Sequence, residues 1–293
     1  MLEKDIENLI AKYPDEFFPG ENFKLIQQQY QIEGKRIDIL FEDKLKRKII
    51  IEVKRGILNR EASGQIAEYY GLLKSRNKTE YFELVLCANI IPKERKMFLE
   101  NIGTECKELG ISLITKLAEK YKYTFLDDRE KSIASINKIG FDTLNTDNTD
   151  NSVWIFQGNP QRYDILNALS DIKIGNTIHW LINQHKNNIT KGHIGLIWMS
   201  GKDAGIYAIT RIETSPKLLE ENTDERKYWI DSSEKKIALR VKMTIIKRLM
   251  NKPILKKQLL QNTALKDLSI LRYYQGTNFP VSDNEWKIIS KLF

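Results

Sequence analysis

Three residues, Asp38, Glu52 and Lys54, stand where apolar side chains would be expected. They lie in two runs, RIDILF (Arg36–Phe41) and KIIIEVKRG (Lys48–Gly56), that otherwise read as buried β-strands. Strand residues two apart point to the same face, so Glu52 and Lys54 share one. A short turn over residues 42–46 pairs the runs antiparallel and lets Asp38 meet Glu52 across the ladder. Two carboxylates buried side by side repel each other and lose their hydration. A hard divalent cation with oxygen ligands resolves both problems, and Mg²⁺, with Mn²⁺ as its substitute, is the natural choice. The competing reading is an internal ion pair between Lys54 and either acid.

The elements that must position these residues follow from periodicity. Leu2, Ile6, Leu9 and Ile10 repeat at helical spacing, and Pro14 and Pro19-Gly20 break the helix that they mark over 2–12. Strand-like runs cover 23–32, 36–41 and 48–53. A helix is expected over 61–74, a strand over 81–88, a helix over 92–109 that opens on proline, and a short strand over 111–114. This order predicts an α/β domain with a mixed sheet over residues 1–142. The almost wholly polar run 143–152 reads as a linker. Beyond it, 153–293 is dominated by strand-like segments (153–156, 194–199, 206–212 and 237–246) and predicts a small β-barrel with a few helices.

Bulk composition narrows the function classes. The 293 residues carry 47 Lys and Arg against 39 Asp and Glu, a formal net charge of +8, which suits an anionic partner such as nucleic acid. No apolar run approaches the length of a membrane span and no signal peptide opens the chain, so a cytoplasmic location is expected. The two cysteines, Cys87 and Cys106, fit a reducing compartment, and with only His179, His185 and His193 they build no plausible zinc site.

The segments GKRIDILF, IIIEVKRG and SGQIAEYYGLLK together resemble the core of the PD-(D/E)xK nuclease superfamily, particularly the branch shared by archaeal mismatch- and branch-cutting endonucleases and restriction-like proteins. The resemblance covers about residues 1–115, with Ile37 where the motif has proline. It implies that Asp38 and Glu52 bind the metal, with the Val53 carbonyl as a further ligand. It also implies that Lys54 supports water activation and that Gln65 and Tyr69 flank the site. An acid on the first helix often completes such centres: Glu3, with Glu7 one turn later as its rival.

In the second half, SGKDAG is no phosphate loop, because Leu196 and Asp203 stand where glycine and Ser or Thr are required. Instead VWIFQGNPQRYDI, IGLIWMSGKDAGIYAI and QGTNFPVSDNEW resemble an EVE domain, a PUA-like barrel related to readers of methylated RNA. The resemblance implies an aromatic pocket for a modified base, in DNA-reading members a cytosine derivative flipped from the duplex. Trp154, Trp198 and Phe279 are the aromatic candidates for it, Ser200, Asp203 and Asn278 the polar ones, while Trp180 reads as core. The basic run 235–257 offers a phosphate-contacting face. The whole predicts a modification-dependent DNA endonuclease, a homodimer reading 5-methylcytosine, 5-hydroxymethylcytosine or a related base in defence against phage. A non-catalytic or RNA-directed reader and a repair nuclease are the alternatives.

Overall fold

The computed structural model describes residues 1–127, 152–230, 237–273 and 275–293. The expected linker, but for Ser152, lies outside the described residues, as do Lys235 and Lys236 of the basic run. The chain divides into two compact units, Met1–Ile133 and Ala134–Phe293.

The first unit runs α1 (Glu3–Lys12), α2 (Pro14–Phe17), β1 (Lys24–Ile32), β2 (Lys35–Glu42), β3 (Lys48–Ile57), α3 (Arg60–Arg76), β4 (Phe82–Ile90), α4 (Lys93–Asn101), β5 (Thr104–Glu108) and α5 (Ile111–Lys120). Its five strands form one sheet in the order β1-β2-β3-β4-β5. The first three pair antiparallel and the last three parallel, so the mixed α/β sheet is as expected. Asn59 starts α3 by accepting a hydrogen bond from the Ala62 N–H, with Glu61 in the first turn and Lys74 and Arg76 in the last. Ala62, Ile66, Tyr69 and Leu73 of α3 pack in one core with Ile50 of β3. By strand alternation, the Glu52 and Lys54 side chains stand on the face that carries Ile50.

Two element expectations need correction. The helix expected over 92–109 stops at Asn101, Gly103 takes a left-handed φ of 83°, and Thr104–Glu108 becomes a strand beside β4. Glycine there lets the chain reverse without a Cβ clash, and Thr104 and Cys106 alternate inward. The apolar run 111–114, expected as a strand, is the first turn of α5, which buries Ile111, Ile114, Leu117 and Ala118 on one side. A four-residue apolar run fits either period, and the helical repeat is only evident over the longer segment.

The second unit contains β6 (Val153–Gly158), α6 (Ile165–Asp171), β7 (Thr177–Leu181), β8 (Ile194–Met199), β9 (Gly205–Ile212), β10 (Lys217–Glu220), β11 (Ile237–Arg248), β12 (Ile254–Leu255), α7 (Lys256–Leu260), α8 (Ser269–Arg272), β13 (Asn278–Val281) and α9 (Asp283–Ile289). Its eight strands form one sheet along the path β10-β11-β9-β8-β6-β13, with β7 on β11 and β12 on β9. β6 and β8 are parallel and the other pairs antiparallel. The path has two ends, so the expected barrel is an open one. Every residue of β8 is buried, and Leu196 and Trp198 share a core with Ile155, Ile209 and Phe279.

Each unit has its own core, and this yields a prediction. A fragment of residues 152–293 should fold alone and unfold in a single cooperative step followed by circular dichroism. A fragment without a transition would show that its core needs the first unit.

Candidate active site

The β2–β3 register pairs Ile39 with Ile51, and one step further sets Asp38 opposite Glu52. Asp38 is 7% exposed and Glu52 fully buried. Asp38 Oδ2 accepts a hydrogen bond from the Val53 N–H at 2.9 Å. Lys54 Nζ lies 2.5 Å from Glu52 Oε1 and 3.8 Å from Glu3 Oε1. Glu52 Oε2 is buried without a hydrogen-bond partner. The neighbour on that side is the Asp38 carboxylate, an acceptor like itself unless one of the two holds a proton.

Burial pushes the Glu52 carboxyl up and the Asp38 charge pushes it further, against the lowering pull of Lys54. Burial also raises Asp38, opposed by the Val53 N–H and reinforced by Glu7. For Lys54, burial would lower the ammonium, but the Glu52 carboxylate beside it prevails and holds it above its ordinary value. Lys54 is therefore a fixed cation in the unliganded site.

The backbone after this row is bent. The β3–β4 register shifts between Lys54 and Ile57, where Gly56 takes a left-handed φ of 76° and its N–H is satisfied by Asn89 Oδ1 at 2.8 Å. Such a bulge re-aims the side chains that flank it. From α1, Glu3 Oε2 accepts the Arg55 N–H at 2.8 Å. Glu7, nearly buried, accepts from Lys4 at 2.8 Å and from the Gln29 amide. From α3, Gln65 Nε2 donates to Tyr69 OH at 2.5 Å, and that hydroxyl donates to the Arg36 carbonyl at 2.7 Å, tying α3 to the start of β2. The structure thus gathers Asp38, Glu52, Val53, Lys54 and both α1 acids, with Gln65 and Tyr69 alongside. Gln29 has no counterpart in the sequence reading; the run QQQ in an otherwise apolar-leaning strand was its only signal.

Among the described residues no group of three or more His, Cys, Asp and Glu converges as a metal cage. The donor set that fits a hard cation is smaller: two carboxylates, one with an orphaned buried oxygen, beside the β3 backbone. Mg²⁺ characteristically binds through one or two carboxylates and keeps several waters, so this set suits it.

The second unit holds a cavity of about 460 Å³ lined by Tyr163, Trp180, Trp229, His179, Arg162 and Asn159 among others. The Trp180 and Trp229 rings meet Tyr163 edge-on, with centroids 6.1 and 5.2 Å away. Tyr163 OH is buried without a hydrogen-bond partner, and burial raises its pKa well above the usual range. Glu221 accepts from Trp229 Nε1 at 3.0 Å and pairs with the buried Arg240. The size falls in the range of small-molecule sites.

None of the six expected base-reading residues lines this cavity. Trp198 and Phe279 belong to the core, because their strands turn them inward. Trp154 is buried and donates to His193 Nδ1 at 3.1 Å. Asn278 is fully buried, its Oδ1 accepting the N–H groups of Asn183 at 3.0 Å and Gln184 at 3.3 Å. Ser200 donates its N–H to the Gly158 carbonyl, and the Asp203 carbonyl accepts from Tyr207 OH. Conversely Trp180, expected in the core, forms cavity wall. Nor is the basic run a continuous face, since Arg240 is 1% exposed and ion-paired. No helix among the described residues is long and apolar enough to cross a membrane.

The raised carboxyls make stability pH-dependent. A carboxyl whose folded pKa exceeds its unfolded one favours the fold while protonated, and that contribution is lost as pH rises through the folded value. Metal-free protein should therefore lose roughly 1–3 kcal/mol between pH 5 and pH 8.5 from Asp38 and Glu52. Glu52→Gln should flatten that loss, and Mg²⁺ or Mn²⁺ should raise the wild-type melting temperature more at pH 8 than at pH 5. Equal pH slopes for wild type and Glu52→Gln in EDTA would refute this account.

Comparison with known proteins gives a family match for each unit. Residues 2–124 match the endonuclease NucS C-terminal domain, and residues 152–292 match the EVE domain. A repair endonuclease from Pyrococcus abyssi is 27% identical over 38% of this chain and 47% of its own, with a TM-score of 0.34. The chain thus spans about half the length of that relative. An EndoMS–double-stranded DNA complex is 23% identical over 38% of this chain and 46% of its own, at a TM-score of 0.33. Human THYN1, solved with DNA containing 5-methylcytosine, is 15% identical over 48% of this chain and 96% of its own, at a TM-score of 0.35. No curated protein matches the chain. The N-terminal unit is thus similar to the endonuclease NucS C-terminal domain and the C-terminal unit to the EVE domain.

Proposed function

We propose that this protein is a DNA endonuclease whose EVE domain reads a modified base, most simply a modified cytosine flipped from the duplex, and whose N-terminal domain cuts the backbone. The observation that carries the reading is the buried row of Asp38 and Glu52 with Lys54 beside it, in a chain that also holds an aromatic-walled cavity. Asp38 and Glu52, with the Val53 carbonyl and Glu3 or Glu7, would hold Mg²⁺ or Mn²⁺. Bound there, the cation would supply a water of lowered pKa and offset charge on the phosphodiester.

The chain's own residues do the rest. Lys54, kept protonated by Glu52, faces the attacked phosphate as a positive charge that strengthens as negative charge develops. In that state it orients the attacking water by donation; it does not take a proton from it. Gln65 and Tyr69 anchor α3 against β2 and keep the row from spreading.

In the cavity, Trp180 and Trp229 offer stacking faces, and the unpartnered Tyr163 OH a hydrogen bond to a base edge. Glu221 can accept from an exocyclic amine such as the cytosine N4. Stacking of this kind is worth about 1–3 kcal/mol per base, comparable with the cost of unstacking. Double-strand cleavage would need two centres related by a two-fold axis, so the acting species is taken as a homodimer. A type IV restriction role against modified phage DNA fits this arrangement.

The deciding experiment incubates full-length protein and Mg²⁺ with matched DNAs containing cytosine, 5-methylcytosine, 5-hydroxymethylcytosine or its glucosylated form. One modified DNA should be cut and the unmodified one spared. Asp38→Asn, Glu52→Gln and Lys54→Ala should each lower the rate by on the order of 10² or more while remaining folded. Trp180→Ala or Trp229→Ala should weaken the preference for modified DNA about 5- to 100-fold. Unchanged cutting by folded Glu52→Gln, or equal cutting of all four DNAs, would sink the proposal.

A further inference from the structure

β1 is an edge strand, and its polar middle does something that its neighbours do not. The β1–β2 register pairs Gln28 with Ile39 and Tyr30 with Ile37, which sets Gln29 opposite Asp38. With Asp38 opposite Glu52, a single row of side chains crosses three strands: Gln29, Asp38, Glu52. Gln29 also has a left-handed φ of 58°, a conformation that a residue with a Cβ rarely adopts and that persists where its surroundings impose it. Its amide nitrogen donates to Glu7 and lies 3.5 Å from Asp38 Oδ1. Asp38 is thereby held on both oxygens, Oδ2 by the Val53 N–H and Oδ1 by the Gln29 amide.

We infer that Gln29 is a positioning residue of the nuclease centre: its neutral amide spaces Glu7 from Asp38, fixes the Asp38 carboxylate, and brings Glu7 to the cation. The inference rests on the nuclease reading above. The chemistry is specific to an amide. An NH₂ group carries two hydrogens and no charge, so it can serve two carboxylates at once and lessen their repulsion. A carboxylate in its place would add a further negative charge, and an alkyl side chain would leave two buried acids facing each other. The backbone geometry separates this role from simple packing. Glycine adopts a positive φ freely, so Gln29→Gly removes the amide while relieving the strained backbone.

Two variants of the full chain test it, with Gln31→Ala, an exposed neighbour on the same strand, as the control. Mn²⁺ binding is measured by calorimetry, cleavage of modified DNA as a rate, and folding by melting temperature in EDTA. Gln29→Gly should melt within a few degrees of wild type, yet bind Mn²⁺ at least ten-fold more weakly and cut at least ten-fold more slowly. Gln29→Glu should melt below wild type in EDTA at pH 8 and recover when Mn²⁺ is added. Gln31→Ala should match wild type in all three. If wild type cuts and both Gln29 variants equal it in Mn²⁺ affinity and rate, the role of Gln29 is overturned and the nuclease reading stands. If wild type binds Mn²⁺ in a manner lost in Asp38→Asn but cuts no DNA, the nuclease reading falls, and the weaker affinity of Gln29→Gly still supports the positioning role. Wild type that neither binds Mn²⁺ nor cuts overturns both.

Discussion

The repulsion between two buried carboxylates is the constraint around which the first unit is arranged. Asp38 and Glu52 face each other across β2 and β3, where burial raises the pKa of both and the Asp38 charge raises that of Glu52 further. The surrounding groups act on this one problem. Lys54 supplies a cation from the same strand, the Val53 N–H a donor from the backbone, and Gln29 a neutral amide from the next strand. Even so, Glu52 Oε2 keeps no partner. An unsatisfied acceptor in a buried row is expensive to a fold, and such costs are tolerated chiefly at functional sites.

The sheet explains why the row can persist. β3 is the central strand, antiparallel to β2 on one side and parallel to β4 on the other, so it is locked by ladders on both edges. The Gly56 bulge then ends the regular pairing directly after Lys54, which leaves the row at a strand end. The acids of α1 reach it there: Glu3 by capping the Arg55 N–H, Glu7 through Gln29. A loop would not hold two like charges this close. The β3–β4 ladder, which runs on through Glu52 and Lys54, does.

The second unit solves a different problem, which is to keep a cavity lined with large rings from collapsing. Tyr163 meets Trp180 and Trp229 edge-to-face, the arrangement that aromatic quadrupoles prefer. Beside them the Arg240–Glu221 pair is buried in the same wall, and Glu221 also holds the Trp229 indole N–H. Gly158 is part of the same economy of space: a Cβ there would meet Ile165 Cδ1 at 2.5 Å and Trp180 Cζ2 at 3.0 Å.

The acids in β2 and β3 were legible in the sequence because strand alternation is strictly local: a charged residue in an apolar run stands out, and residues two apart must share a face. Gln65 and Tyr69 were legible only through the resemblance of SGQIAEYYGLLK to a known helix, on which one turn separates them. Short segments were not, and 104–108 and 111–114 exchanged their expected helix and strand because so few residues fit both periods. Gln29 stayed hidden because its role depends on a left-handed backbone and on register with a strand that sequence alone does not pair residue by residue. The cavity was hidden for a further reason. Tyr163, Trp180 and Trp229 come from a loop before α6, from β7 and from the segment before β11, and only the folding of the sheet brings them together. Trp154 and Trp198, which stand in well-marked sequence blocks, are turned into hydrogen-bonded or apolar interior instead. Local periodicity determined which residues carry the charge; three-dimensional register and curvature decided which of them, and which aromatic rings, face an open space.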